Sequence, residues 1–249
     1  MHKEIAEFLE LHKESLEKIY TWDFAEKIPK EQFGIIAEGD TWLARNLDLK
    51  TKLANRIADN HNMDELTRIA DYYIKNWGGI RRFTRASEIV EQFREISGTK
   101  NPPENFEFPF DSISSWSKWA SLICPNWACI YDARVAYSIN VINYLTGAKY
   151  KIFPIPNGRN TRLGMLDVKT LLLSAKIEVE DNSEPAALRR KYFISEKDVY
   201  RAYLKIVQEV SKQLWTDESH IHEVEMLLFA IADSVAYESL FNSLAQQRK

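Results

Sequence analysis

An all-α fold is predicted from three features of this chain. Apolar stripes of helical period recur along most of its length, glycine and proline are scarce, and strand-like alternation is almost absent. Eight Gly and eight Pro in 249 residues disfavour a sandwich or a disordered tail and suit helices. With 45% hydrophobic and 28% charged residues the chain can bury a sizeable core. A single domain over 1–249 is expected. The loop Asn101-Pro102-Pro103 marks a lobe boundary, about 1–100 and 101–249, with a cleft between the lobes.

The first twenty residues form an amphipathic helix through Ile5, Phe8, Leu9, Leu16 and Ile19, with His12 as a satisfied histidine on its apolar face. Leu66, Ile69, Ala70, Tyr73, Ile74 and Trp77 fall on one helical face. Asn62 stands before them with Glu65 three residues on, as in a capping box, and Gly78-Gly79 ends the run. A shorter helix from about Ser87 turns Ile89 and Phe93 inward and stops at Gly98. In the C-terminal third, a helix from near Ser195 uses Val199, Tyr203, Val207, Val210 and Leu214. The next, capped near Asp217, buries Val224, Leu227, Leu228, Ile231 and Val235. Strands amount to a short pair at most, from Tyr150 to Ile155 and an edge from Lys176 to Glu180. No internal repeat or low-complexity tract is evident.

Composition excludes several classes. No apolar run approaches the roughly 18 to 20 residues that span a bilayer, so no membrane partner is expected. The opening MHKEIAEFLELHKESLEKIY is amphipathic and Glu-rich, unlike a signal or transit peptide, so a cytoplasmic location is expected. Cys124 and Cys129 are expected as reduced core thiols and are too few for a four-cysteine iron–sulfur cluster. There is no P-loop, dinucleotide fingerprint or G-x-S-x-G elbow, and no cofactor is expected. His220-x-His222 with Glu225 lacks the i, i+4 zinc spacing, so no metal is expected either.

The net charge of −3 argues against a protein that coats nucleic acid by charge alone. Local basic faces remain. Lys75, Arg81, Arg82, Arg85 and Arg94 stand against Glu88 and Glu91, and a second cluster holds Lys149, Lys151, Arg159 and Arg162. Solvated helix faces account for either cluster alone; together they could dock a duplex. Gly78-Gly79 before Ile80-Arg81-Arg82 reads equally as a helix stop and as an anion-binding turn.

Residues 108–160 depart from the regular pattern, holding three of the seven Trp and few charges. Lys118 lies between Trp116 and Trp119 on a helix begun by Ser114 or Ser115. Desolvation by the indoles would lower its pKa and free the amine as a nucleophile. Asp132 precedes Ala133, Val135, Ala136, Ile139 and Ile142, a helical series ending at Gly147. It is therefore predicted as an N-cap whose second oxygen can face a cleft. Capping alone explains Asp132, and a snorkelling stem alone explains Lys118. The functional alternative is cleavage of an N-glycosidic bond, in which a carboxylate stabilises positive charge developing on the sugar while an amine or a water captures the anomeric carbon.

The run SSWSKWASLICPNWACIYDARVAYSI, residues 114–139, resembles the Lys-to-Asp segment of the 8-oxoguanine DNA glycosylase fold within the helix-hairpin-helix glycosylase superfamily. It is most similar to bacterial members, some associated with anti-phage defence. The resemblance implies a helical glycosylase-like fold, DNA as partner, Lys118 as nucleophile and Asp132 as the activating carboxylate. Asn157 to Asn160 also looks like a segment of that bacterial group, without an assigned role. The chain departs from the family at the hairpin. Where a Leu-Pro-Gly-x-Gly turn would hold a phosphate, it has Cys124-Pro125-Asn126-Trp127. The hairpin is thus degenerate, and backbone contacts to DNA pass to Arg81, Arg82, Arg85, Arg159 and Asn160.

A glycosylase must also extrude its base. By residue type, Trp116, Trp119, Trp127 and Tyr131 could stack on it, and Asn126, Asn157 or Asn160 could read its edge. The same tryptophans serve equally as core. Two other classes compete with the enzyme: a non-catalytic DNA-binding module on the same fold, and a helical protein–protein adaptor. The sequence does not fix the oligomeric state.

Overall fold

The computed structural model describes residues 1–58, 60–157, 160–177, 184–217 and 219–246. In chain order its helices are α1 (His2–Lys13), α2 (Leu16–Ile19), α3 (Lys27–Phe33), α4 (Trp42–Ala58), α5 (Met63–Asp71), α6 (Ala86–Gln92), α7 (Ile113–Ile123), α8 (Ala133–Leu145), α9 (Thr161–Met165), α10 (Val168–Lys176), α11 (Pro185–Tyr192), α12 (Val199–Trp215), α13 (Ile221–Ile231) and α14 (Tyr237–Gln246). Wider π turns follow α5 (Tyr72–Trp77) and α13 (Ala232–Ala236), and a 3₁₀ turn (Arg94–Ile96) follows α6. The fold is all-α. Among the described residues, the one departure is an isolated parallel bridge between Ile152 and Phe193. No helix among them is long and apolar enough to cross a membrane.

The chain forms two compact units. The first comprises Met1–Glu14, Glu107–Asp111 and Tyr131–Lys249; the second comprises Ser15–Phe106 and Ser112–Ile130. The Asn101-Pro102-Pro103 loop lies inside the second unit. The predicted N-terminal helix is therefore interrupted: α1 belongs to the first unit and α2 to the second.

In the first unit α8 packs against α1, α10, α13 and α14, and α1 also packs on α12. Val199, Tyr203, Val207, Val210 and Leu214 are all buried, as their spacing predicts. Lys13 Nζ donates to Leu214 O (2.5 Å), satisfying one of the orphan carbonyls that end α12. Ser138 Oγ of α8 donates to Leu228 O of α13 (2.6 Å). Asp217 does not cap α13. Its Oδ1 instead accepts from Ser219 N (2.7 Å) in a turn before the helix, which starts at Ile221. The π turn after Ile231 shifts the register, so Ala232 and Ala236 are buried while Val235 is only half-buried.

Residues 150–154 do not form a strand pair. Asn140 of α8 donates through Nδ2 to Phe153 O (2.8 Å), and its Oδ1 accepts from Phe153 N (2.9 Å). Asn143 does the same with Tyr150 (2.9 and 3.1 Å). Two buried asparagines thus supply the partners a second strand would have given. Lys176, predicted on an edge strand, is the last residue of α10; residues 178–180 lie outside the described residues.

In the second unit α4 packs against α7, α5 against α6, and α7 against the π turn after α5. Asn62 caps α5 by accepting from Asp64 N (3.0 Å) and Glu65 N (3.2 Å). The return arm of the capping box is replaced: Asn62 N donates to Asn60 Oδ1 (2.8 Å), while Glu65 engages Arg56 (2.6 Å). Gly98 N donates to Ile123 O (2.9 Å), tying the turn after α6 to the end of α7.

Candidate functional site

Lys118 lies in the second unit, one turn into α7. The helix starts at Ile113 rather than Ser114, after Ser112 at a left-handed φ of 56°. Lys118 is 5% exposed, and its Nζ donates to Ser114 O at 2.7 Å, the carbonyl one turn earlier. Its stem lies across the backbone of Gly78, where a Cβ would fall 2.5 Å from Lys118 Cε and 2.6 Å from Cδ. Gly78 therefore permits the close approach, and Gly78-Gly79 is more than a helix stop. The π turn before it is pinned by Trp77 Nε1 donating to Asn46 Oδ1 (2.7 Å) and by Tyr73 stacked on Trp77 at 4.1 Å. Asn46, buried on α4, also donates to Trp22 O (2.8 Å), and Trp22 Nε1 donates to Trp77 O (3.1 Å).

Asp132 lies in the first unit and caps α8. Its Oδ1 accepts from Arg134 N (2.9 Å) and Val135 N (3.1 Å), which satisfies two orphan amides of the helix start. Oδ2 accepts no hydrogen bond from the described residues, and the side chain is half-buried. Two residues on, Arg134 Nη2 pairs with Asp233 Oδ2 (3.0 Å) and stacks over Phe229 at 4.5 Å. Asn160 Nδ2 donates to the same Asp233 oxygen (3.3 Å), while its Oδ1 accepts from Leu163 N (3.3 Å) at the start of α9. Asp233 thereby joins the start of α8 to the Asn157–Asn160 segment, whose role was illegible in the sequence.

Beside this network is a cavity of about 310 Å³ whose lining includes Ala133, Tyr137, Asn157, Gly164, Asp167 and Lys169. Tyr137 is 1% exposed, and its hydroxyl has no hydrogen-bond partner among the described residues. Burial drives its pKa well up; Tyr237 adds to the rise, Arg162 opposes it and Asp167 adds again. Asp167 caps α10 through Lys169 N (3.1 Å) and takes Thr170 Oγ1 (2.8 Å) on its other oxygen. Sequence reasoning missed Tyr137 because an aromatic on an apolar helix reads as core. The position of Asp167 before Val168 and a leucine run was a legible cap.

Four residues proposed as base-stacking side chains are core instead. Trp116, Trp119, Trp127 and Tyr131 are exposed by 2% or less. Trp116 stacks on Phe93 at 4.9 Å, Trp127 Nε1 donates to Thr99 O (2.9 Å), and Tyr131 OH donates to Pro154 O (2.6 Å). Their faces are filled by neighbours and cannot receive a base without repacking. Trp119 Nε1 is buried without a partner among the described residues. Asn126 is exposed in the turn after α7. Trp127 N (3.2 Å) and Ala128 N (2.9 Å) of that turn both donate to Cys124 O, and Pro125 has no amide hydrogen. The degenerate hairpin therefore commits these amides internally.

Among the proposed backbone-binding residues, Arg81 and Arg82 are exposed and make no ion pair among the described residues. Arg85 is paired with Glu88 (2.7 Å), Asn160 is committed to its cap and to Asp233, and Arg159 lies outside the described residues. Cys124 and Cys129 are free and buried, and burial pushes the Cys124 thiol up to about 11. His220 holds Glu223 Oε1 at 3.0 Å and stacks on Trp215. No protein-family model matches the chain, and comparisons with curated proteins and with solved structures likewise give no match.

Proposed function

We propose that the chain is a DNA glycosylase of the 8-oxoguanine-glycosylase type that residues 114–139 resemble, acting on a modified or damaged base. The observation that carries this reading is Asp132: its Oδ1 is fixed by two helix amides, while its Oδ2 takes no bond from the described residues. A carboxylate held this way needs no reorganisation to stabilise an oxocarbenium-like sugar. In the proposed reaction the N-glycosidic bond breaks with its electron pair leaving on the base. Water then adds to the anomeric carbon, and its proton is passed to the departing base. Water is preferred to the Lys118 amine because that amine is buried and bound to Ser114 O. Lys118 then acts as a positioning residue for α7. The free guanidinium groups of Arg81 and Arg82 suit phosphate contacts.

The burial of Lys118 and of three tryptophans also favours a second reading, a non-catalytic DNA-binding module. The two are separated by incubating the protein with duplexes carrying 8-oxoguanine or modified cytosines, then analysing strand scission after alkali. Scission at one modified position supports the enzyme. Binding to every duplex with base loss from none would leave only the module.

A further inference from the structure

We propose that the cavity beside α8 in the first unit is a binding pocket for a neutral nucleobase. It deepens the glycosylase reading by naming the pocket that would receive the base, and rests on that reading for its biological use.

Three observations meet there. At about 310 Å³ the cavity lies at the small end of ligand pockets, which suits a single heterocycle. Its walls mix apolar surface from Pro156, Leu163 and Val168 with polar groups from Asn157, Asp167 and Lys169. The second observation is the Tyr137 hydroxyl, buried without a partner among the described residues. Burying a hydroxyl unpaired costs stability, and a ligand that pairs it recovers that cost. Among the groups acting on the phenol is Asp167 on the cavity wall, which puts the hydroxyl at the cavity end of the ring. The third is Gly164: it lines the cavity, and a Cβ built there meets nothing within 4 Å.

The chemistry selects the ligand class. Asp167 and Lys169 offset each other, so the wall offers no surplus charge to an anion or a cation. A phenol and a carboxamide, each both donor and acceptor, match the edge of a heterocycle that alternates the two. The apolar walls suit its faces. That heterocycle reaches the pocket either free or as an unpaired base within DNA.

Two substitutions test this in the full chain. Gly164→Phe fills the cavity from a position with open space and no positive φ. Tyr137→Phe removes only the unpaired hydroxyl. Titration calorimetry is run with free bases and nucleosides, including 8-oxoguanine and modified cytosines, and with oligonucleotides carrying one unpaired base. The expected result is binding in at least one arm, abolished by Gly164→Phe and weakened about three- to tenfold by Tyr137→Phe. Tyr137→Phe should fold with unchanged or higher stability; a loss would mark a structural hydroxyl and count against the pocket. Binding by nucleosides assigns a free ligand, and binding by oligonucleotides alone assigns DNA. Absence of binding in both arms, or binding that Gly164→Phe leaves intact, would overturn the inference. Base release that neither substitution affects would overturn the pocket while leaving the glycosylase standing, and heterocycle binding without base release would do the reverse.

Discussion

Asp132 has two separable jobs, and its geometry sets how far each substitution should cost stability. Both amide bonds fall on Oδ1, at 2.9 and 3.1 Å, and neither needs the negative charge. Asn in the same rotamer keeps both and loses only the interaction of the charge with the helix dipole, about 0.3–1 kcal/mol. Ala loses the cap as well, about 1 kcal/mol more. Asp132→Asn is thus expected to lower Tm by about 1–3 °C and Asp132→Ala by about 3–6 °C, at about 2–4 °C per kcal/mol. Thermal unfolding followed by far-UV circular dichroism, with urea unfolding as the isothermal check, measures both. Equal destabilisation by Asn and Ala would show that the amide bonds do not cap α8 as described. The discrimination lies in activity: the two substitutions should differ in stability yet abolish base release alike.

Gly78→Ala is expected to cost about 1–3 kcal/mol by overpacking, since the new Cβ would lie 2.5 Å from Lys118 Cε and 2.7 Å from Ile74 O. Adding Lys118→Ala should recover at least about 0.5 kcal/mol in a double-mutant cycle, whereas strict additivity would deny the contact. His12 has its pKa lowered from 6.5 by burial, so below that pH the unfolded chain takes up a proton that the folded chain resists. Its contribution is present above the ordinary value and lost as pH falls through the lowered one. Urea unfolding across that window should show a slope that His12→Asn removes. Arg81→Ala with Arg82→Ala should leave stability within about 0.5 kcal/mol and reduce the salt slope of DNA binding by about 1.8; an unchanged slope would exclude phosphate contacts by these two.

Much of the helical framework was legible because burial follows period. Val199 to Leu214 and Ile69 to Trp77 show the stripes their spacing implies. Helix α4 was not, although Leu43, Leu49, Leu53 and Ile57 are buried on it. Two inward positions are Asn46 and Lys50, and polar residues on an inward face erase the apolar pattern. Asn46 is tolerated there because it bonds Trp22, Trp42 and Trp77. The π turns are likewise invisible to a 3.6-residue rule, which is why Val235 was misplaced. Around the site, Asp132 was legible because an acid before an apolar helical series has a local cause. The commitment of Trp116, Trp119 and Trp127 to the core, the sharing of Asp233 by Arg134 and Asn160, and the unpaired Tyr137 hydroxyl depend on residues distant in sequence. No local pattern encodes them.

The most direct measurement is single-turnover base release from a modified duplex by the wild-type chain and by Asp132→Asn. The expected result is release by the wild type and a rate lower by about two to three orders of magnitude in the variant, with folding and DNA affinity retained. Equal rates, or tight DNA binding with no release by either protein from any modified duplex, would contradict a catalytic Asp132.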